Sequence, residues 1–142
     1  MKLLDVNLLL YAYTADSSRH TAARPWLEDQ LSGTETIALP WVVLLGFLRI
    51  STRPAVYPNP LSAAQALDLI DSWLSQPCTV VVHPTERHAA ILRDLIIRIG
   101  TAGNLTTDAH LAALAIEHGA QLCSADPDFS RFPGLRWLDP LR

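Results

Sequence analysis

Five short apolar runs, none longer than a few residues, alternate along the chain with stretches of helical periodicity. They are Lys2-Leu3-Leu4-Asp5-Val6, Thr36-Ile37-Ala38-Leu39, Thr79-Val80-Val81-Val82, Gln121-Leu122-Cys123-Ser124 and Leu135-Arg136-Trp137-Leu138. The runs are continuous rather than alternating, as expected of strands covered on both faces. Strands separated by helices favour parallel pairing, so the pattern predicts an α/β chain with a three-layer α/β/α arrangement around a short, mostly parallel sheet. With 142 residues, the chain is expected to form a single domain, 1–142, that buries roughly 70% of its unfolded surface without disulfide or structural metal.

The helical stretches have readable ends. Residues 18–31 fit a helix in which Pro25 is the awkward point and a possible start. Pro40 suits the first turn of a helix through Ile50 that is apolar almost all round, which predicts a central or subunit-interface position. Ser62 and Gln65 read as a capping box for a helix with Ala63, Ala66, Leu67, Ile70 and Leu74 on one stripe. Thr85 is placed to cap a helix with His88, Ile91, Leu92, Leu95 and Ile99 on its stripe, ended by Gly100. Thr106 or Thr107 caps a last helix that runs to His118 and stops at Gly119.

Composition excludes several classes. The chain is 49% hydrophobic and 18% charged, with mean hydropathy +0.18, which is too apolar for disorder. No apolar run reaches the ~20 residues a membrane span needs. Asp5 interrupts what would be a signal peptide's apolar core, and Cys78 and Cys123 offer no disulfide framework, so the expected compartment is the reducing cytosol. A net charge of −3 excludes a polybasic nucleic-acid binder but not a nuclease, whose site is itself acidic.

The acids are few and their placement is informative. Asp5 ends the first strand, Asp126 and Asp128 follow the fourth, and Asp108 opens the helix before it, on the face of Leu111, Ala112 and Ala115. In a parallel sheet the C-terminal strand ends share one edge, where open α/β folds bind ligands. Each acid alone has a plain structural role: Asp108 at a helix N-terminus, Asp126-Pro127-Asp128 in a turn. Converging from three segments, they would repel one another unless a cation compensates. A hard divalent ion such as Mg²⁺ takes carboxylate oxygens, contacts phosphate and lowers the pKa of water.

These residues resemble a PIN domain, and more narrowly the VapC ribonuclease toxins of bacterial toxin–antitoxin pairs. The matching blocks are Leu3-Leu4-Asp5-Val6-Asn7, the run from Asn104 to Ala115 around Asp108, and Ser124-Ala125-Asp126-Pro127-Asp128-Phe129, with Phe132-Pro133-Gly134-Leu135 trailing. The resemblance covers essentially the whole chain in family order. It implies an α/β/α PIN-like fold and an endoribonuclease that uses Mg²⁺ or Mn²⁺ to cut structured RNA such as tRNA or rRNA. It also implies a homodimer and a VapB-type antitoxin. Carried over by position, Asp5, Asp108 and Asp126 match the metal-binding acids, Asp128 a further acid, and Asn7 and Ser124 polar neighbours.

One position departs from the family. Leu44-Leu45-Gly46-Phe47-Leu48-Arg49 has Gly46 where a Glu is common, at a cost of about 1 kcal/mol for a mid-helix glycine. Glu35 lies upstream of Pro40 in an expected loop and does not replace it. An alternative is therefore a PIN-fold RNA-binding protein with weak or no catalysis. A phosphorylatable receiver is excluded, because the first strand offers only Asp5 and the sole Lys is Lys2.

Ten of the eleven basic residues are Arg, and setting aside Asp5, Asp108, Asp126 and Asp128 turns the formal charge from −3 to +1. Arg49, Arg53 and Arg19 are the expected RNA contacts, with Arg24 and Arg131 further choices, since guanidinium forks suit phosphate. No two of the histidines have zinc-site spacing, and His88 reads as a hydrogen-bonded core residue.

Overall fold

The computed structural model describes all residues, 1–142. Its five strands are β1 (Lys2–Leu4), β2 (Ile37–Ala38), β3 (Thr79–Val80), β4 (Gln121–Cys123) and β5 (Trp137–Leu138). They form one sheet in the order β3-β2-β1-β4-β5, and every neighbouring pair is parallel. Six helices connect them: α1 (Val6–Tyr13), α2 (His20–Leu31), α3 (Trp41–Ser51), α4 (Ala63–Leu74), α5 (His88–Ile99) and α6 (Thr106–Glu117). The expected α/β/α architecture is present. The strands are shorter than the apolar runs because pairing stops where helices and turns take over the backbone.

The first strand ends two residues early, and a helix not expected from the sequence follows it. Asp5 has extended backbone (φ −83°, ψ 158°), and its carboxylate accepts a hydrogen bond from Val6 N, so it is the N-cap of α1. The run Leu8-Leu9-Leu10 that follows hid this helix. Its residues are buried on more than one side, with Ala12, and leave no polar face to read.

Pro25 lies inside α2 rather than at its start, on an exposed face where water can serve the backbone carbonyl it leaves unpaired. Pro40 is the N-cap of α3, and its carbonyl accepts from Val43 N and Leu44 N. The capping box of Ser62 and Gln65 on α4 is present, but the buried stripe is Ala66, Ile70 and Trp73, with Leu67 46% exposed. α5 starts after Arg87, whose N–H donates to Thr85 Oγ1. α6 has no side-chain cap; a 3-10 turn (Gly103–Leu105) leads into it. Gly100 (φ 84°) and Gly119 (φ 65°) end α5 and α6 in the left-handed region that glycine allows.

The core runs along both faces of β1 and β4, with Leu3, Leu4, Leu122 and Cys123 fully enclosed. On the β3 side the largest buried side chain is Trp73, edge-on to Phe47 at 4.8 Å between ring centroids and tilted against Tyr13 at 5.4 Å. Its indole Nε1–H has no hydrogen-bond partner. Trp73→Ala is expected to cost about 3–5 kcal/mol in urea unfolding, as for other large-to-small core substitutions. Trp73→Phe, which removes the unpaired donor, is expected to cost far less; equal losses for both would contradict this packing account.

Candidate active site

Parallel pairing brings the carboxylates together. Leu4 lies opposite Cys123, so the next residues along β1 and β4, Asp5 and Ser124, face each other at the C-terminal edge. The Ser124 hydroxyl is wholly buried and uses all of its capacity. It donates to Asp5 Oδ2 at 2.8 Å and accepts from Asn7 Nδ2 and from Asp126 N, both at 3.0 Å. Asn7 also donates to Asp5 Oδ2 at 3.3 Å, and its Oδ1 accepts from Ala125 N at 3.3 Å. Ser124 and Asn7 thus tie the start of α1 to the turn after β4, and Trp137 Nε1 adds a bond to Ser124 O from β5.

Asp126 serves both as a turn residue and as a cleft residue. Its Oδ1 accepts from Asp128 N, capping the 3-10 turn Pro127–Arg131. Asp108 enters from the first turn of α6, where the helix N-terminus favours negative charge. Asp5, Asn7, Asp108 and Asp126 together line one cleft of about 210 Å³, walled by Val6, Val42 and other apolar side chains. Asp128 does not line it; it stands exposed outside, close enough to act on Asp108 through its charge.

Burial pushes the Asp5 carboxyl above its ordinary value; the bonds from Ser124 and Val6 N oppose this and the Asp126 charge adds to it. Asp108 is pushed up to about 6, first by burial and then by the charges of Asp5, Asp126 and Asp128. Every contribution to Asp108 has the same sign, so a cation in the cleft would offset burial and repulsion alike. The donor set is all hard oxygen, which fits a small divalent ion. No three of these side chains are gathered tightly enough to enclose an ion unaided, so the fit is an open site completed by water, as Mg²⁺ prefers.

The arginines divide. Arg49 lines a second, larger groove beside the acid cleft. Arg53 is exposed just past the end of α3. Arg19 lies at the start of α2, over the Tyr11 ring and 4.0 Å from Asp139. Arg24 pairs with Glu28 on α2, and Arg131 ends the 3-10 turn after Asp126. Glu35 pairs with Lys2 at the opposite, N-terminal end of the sheet, away from the acids.

Sequence reasoning did not single out Val6, Val42 and Thr107, which line both the acid cleft and the neighbouring groove. Thr107 lines these cavities and does not cap α6. Glu117 was also missed. Its side chain is wholly buried, accepting from Thr85 N and pairing with His88 Nδ1, while His88 Nε2 meets His110 Nδ1 at 2.9 Å. This network fastens α5 to α6 and confirms His88 as a hydrogen-bonded core residue. Burial and the neighbouring His88 lower the pKa of His110, which turns away from the acids.

Such a parallel-sheet domain with converging aspartates matches a known family. The PIN domain profile aligns with residues 2–135, and the chain belongs to the PIN domain family. It is 45% identical over 140 residues to Ribonuclease VapC37 of Mycobacterium tuberculosis, covering 99% of this chain and 97% of that one. It is 43% identical over 142 residues to Ribonuclease VapC33 of the same species, covering 100% and 99%. These identities place it in the VapC branch. Among solved structures, VapBC2 of Rickettsia felis bound to promoter DNA matches with TM-score 0.70 at 22% identity over 96% of both chains. The sarcin-ricin loop cleaving toxin VapC20 of M. tuberculosis matches with TM-score 0.68 at 19% identity, over 96% of this chain and 99% of that one. Both likenesses show the same fold.

Because the folded Asp108 pKa lies above its unfolded value of 3.8, its protonated form stabilises the fold fully below about pH 4. That contribution is lost as pH rises through about 6. In chelator, the melting temperature of the wild type is expected to fall between pH 4 and 7 more than that of Asp108→Asn. Mg²⁺ is expected to restore the wild type at pH 7. Identical pH profiles for the two proteins would contradict the electrostatic account.

Proposed function

We propose that this chain, acting as a single domain over 1–142, is the endoribonuclease toxin of a toxin–antitoxin pair. It hydrolyses phosphodiester bonds of structured RNA, tRNA or rRNA, at the acid cleft. The carrying observation is the delivery of Asp5, Asp108 and Asp126 from three separate segments to one cleft. The names of the VapC relatives and the VapBC assemblies among the fold neighbours support the reading and a VapB-type antitoxin as protein partner; a homodimer is proposed as the working state.

Asp5, Asp108 and Asp126 would hold Mg²⁺, with Mn²⁺ as a substitute. A bound ion of this kind supplies charge compensation for phosphate and makes a water acidic enough to attack near neutral pH. The chain's own groups have distinct tasks. Asp5 is fixed by Val6 N, Ser124 and Asn7, so it positions. Asp108, brought in on the first turn of α6, supplies a carboxylate oxygen to the same cleft from a separate segment and would share in holding the ion. Asp126 is oriented by its own turn, and Asp128 adds negative charge at the rim. Arg49, Arg53 and Arg19 are the positive groups proposed to hold the RNA backbone. The reading without catalysis is not favoured, because the acids line the cleft independently of Gly46, which lies beyond Val6 in the neighbouring groove.

The test is cleavage of total RNA by purified protein with Mg²⁺, Mn²⁺ or chelator, beside Asp126→Asn and Asp5→Asn. Discrete cuts that require metal are expected, with losses of at least about a hundredfold in both folded variants. Cleavage retained by both would overturn the site.

A further inference from the structure

Beside the acid cleft lies a groove of about 710 Å³ between α3 and α4, with mostly apolar walls. The two cavities share Val6, Val42 and Thr107. Gly46 forms part of its wall, one helical turn after Val42. A Cβ at Gly46 would meet Val6 Cγ2 at 3.4 Å, an ordinary contact, so the backbone fold does not forbid a side chain there. Its absence keeps the groove open next to the acid cleft. Leu45 and Leu67, 55% and 46% exposed, form the outer walls. Arg49 is the only charged residue lining the groove.

An apolar body with negative charge close to it suits these walls and Arg49, and the shared lining lets it continue into the acid cleft. We infer that the groove is a substrate subsite that receives the nucleobase next to the scissile phosphate, with Arg49 on an adjoining phosphate and Gly46 as the specificity-determining position. This rests on the ribonuclease reading and deepens it. The aliphatic walls hold a base by dispersion contact with its faces rather than by aromatic stacking, and an Arg fork on phosphate sets its register. The volume lies in the range of small-molecule pockets.

The test maps cut sites in a total-RNA pool by end sequencing, comparing wild type with Gly46→Leu, which fills the groove from its wall. Leucine is a better helix residue than glycine, so a melting curve checks that the fold is kept. A second variant, Leu67→Ala, widens the half-exposed opposite wall. Expected is an about tenfold fall for Gly46→Leu at the sites wild type prefers, with the preference altered at one nucleotide beside the cut, and a changed preference at that same position for Leu67→Ala. Both variants cutting with the wild-type profile would overturn the subsite while the ribonuclease reading stands. So would an unchanged profile in variants whose sedimentation shows a lost dimer, or which no longer retain an antitoxin; the groove would then be a protein interface. Folded wild-type protein that cuts nothing with either metal would remove the ribonuclease reading and the subsite together.

Discussion

The Asp5 carboxylate is nearly enclosed at the end of a central strand, only 6% exposed, and the site depends on making that burial tolerable. An ionised carboxylate removed from water is costly unless its oxygens are satisfied. Three donors meet them: Val6 N on one oxygen, Ser124 Oγ and Asn7 Nδ2 on the other. The same Ser124 hydroxyl accepts from Asp126 N. One buried hydroxyl therefore neutralises part of the cost of Asp5 and fixes the backbone that presents Asp126. The β1–β4 register is what allows it, since a one-residue slip would move Asp5 away from Ser124.

Asp108 completes the cleft by a different route. It is carried by α6, whose placement depends on packing and on the α5–α6 network rather than on a cap. Glu117 takes hydrogen bonds from Thr85 N and His88, and Arg87 donates to the Glu117 carbonyl at 2.6 Å. Two acids are thus locked through Ser124, and the third is held on a separate rigid body. Burial and the charges of Asp5, Asp126 and Asp128 leave the Asp108 carboxylate with a raised pKa and an electrostatic need that a divalent cation would meet.

The convergence of Asp5, Asp108 and Asp126 was legible because buried apolar strands rarely end in carboxylates without a reason and parallel topology sends such ends to one edge; Asp128, read with them, stands outside the cleft. The capping box of Ser62 and Gln65 and the glycine stops were legible because their chemistry is local. Other features were hidden for physical reasons. α1 begins at the same Asp5 that ends β1, and its buried sides leave no amphipathic stripe. The all-apolar α3 is expected to be central or at a subunit interface; Val43, Leu44 and Phe47 are buried, Val42, Leu48 and Ile50 pack partly on the core, and Trp41 and Leu45 are 46% and 55% exposed. Nothing in the local sequence says which side of an all-apolar helix meets the sheet. Glu117 lay within a helix tail that reads as solvated surface; its burial depends on His88, some thirty residues away. Gly46 was visible as a departure from the family, but only the structure shows that it lines a groove adjoining the cleft.

Calorimetric titration of Mn²⁺ at pH 6, in two buffers of different ionisation enthalpy, tests the central claim most directly. If the acids form an electrostatically strained cation site, binding releases a fraction of a proton from Asp108, and both the heat and the proton disappear in Asp108→Asn and Asp5→Asn. Undiminished binding in those variants, or no binding by folded wild-type protein, would contradict the account.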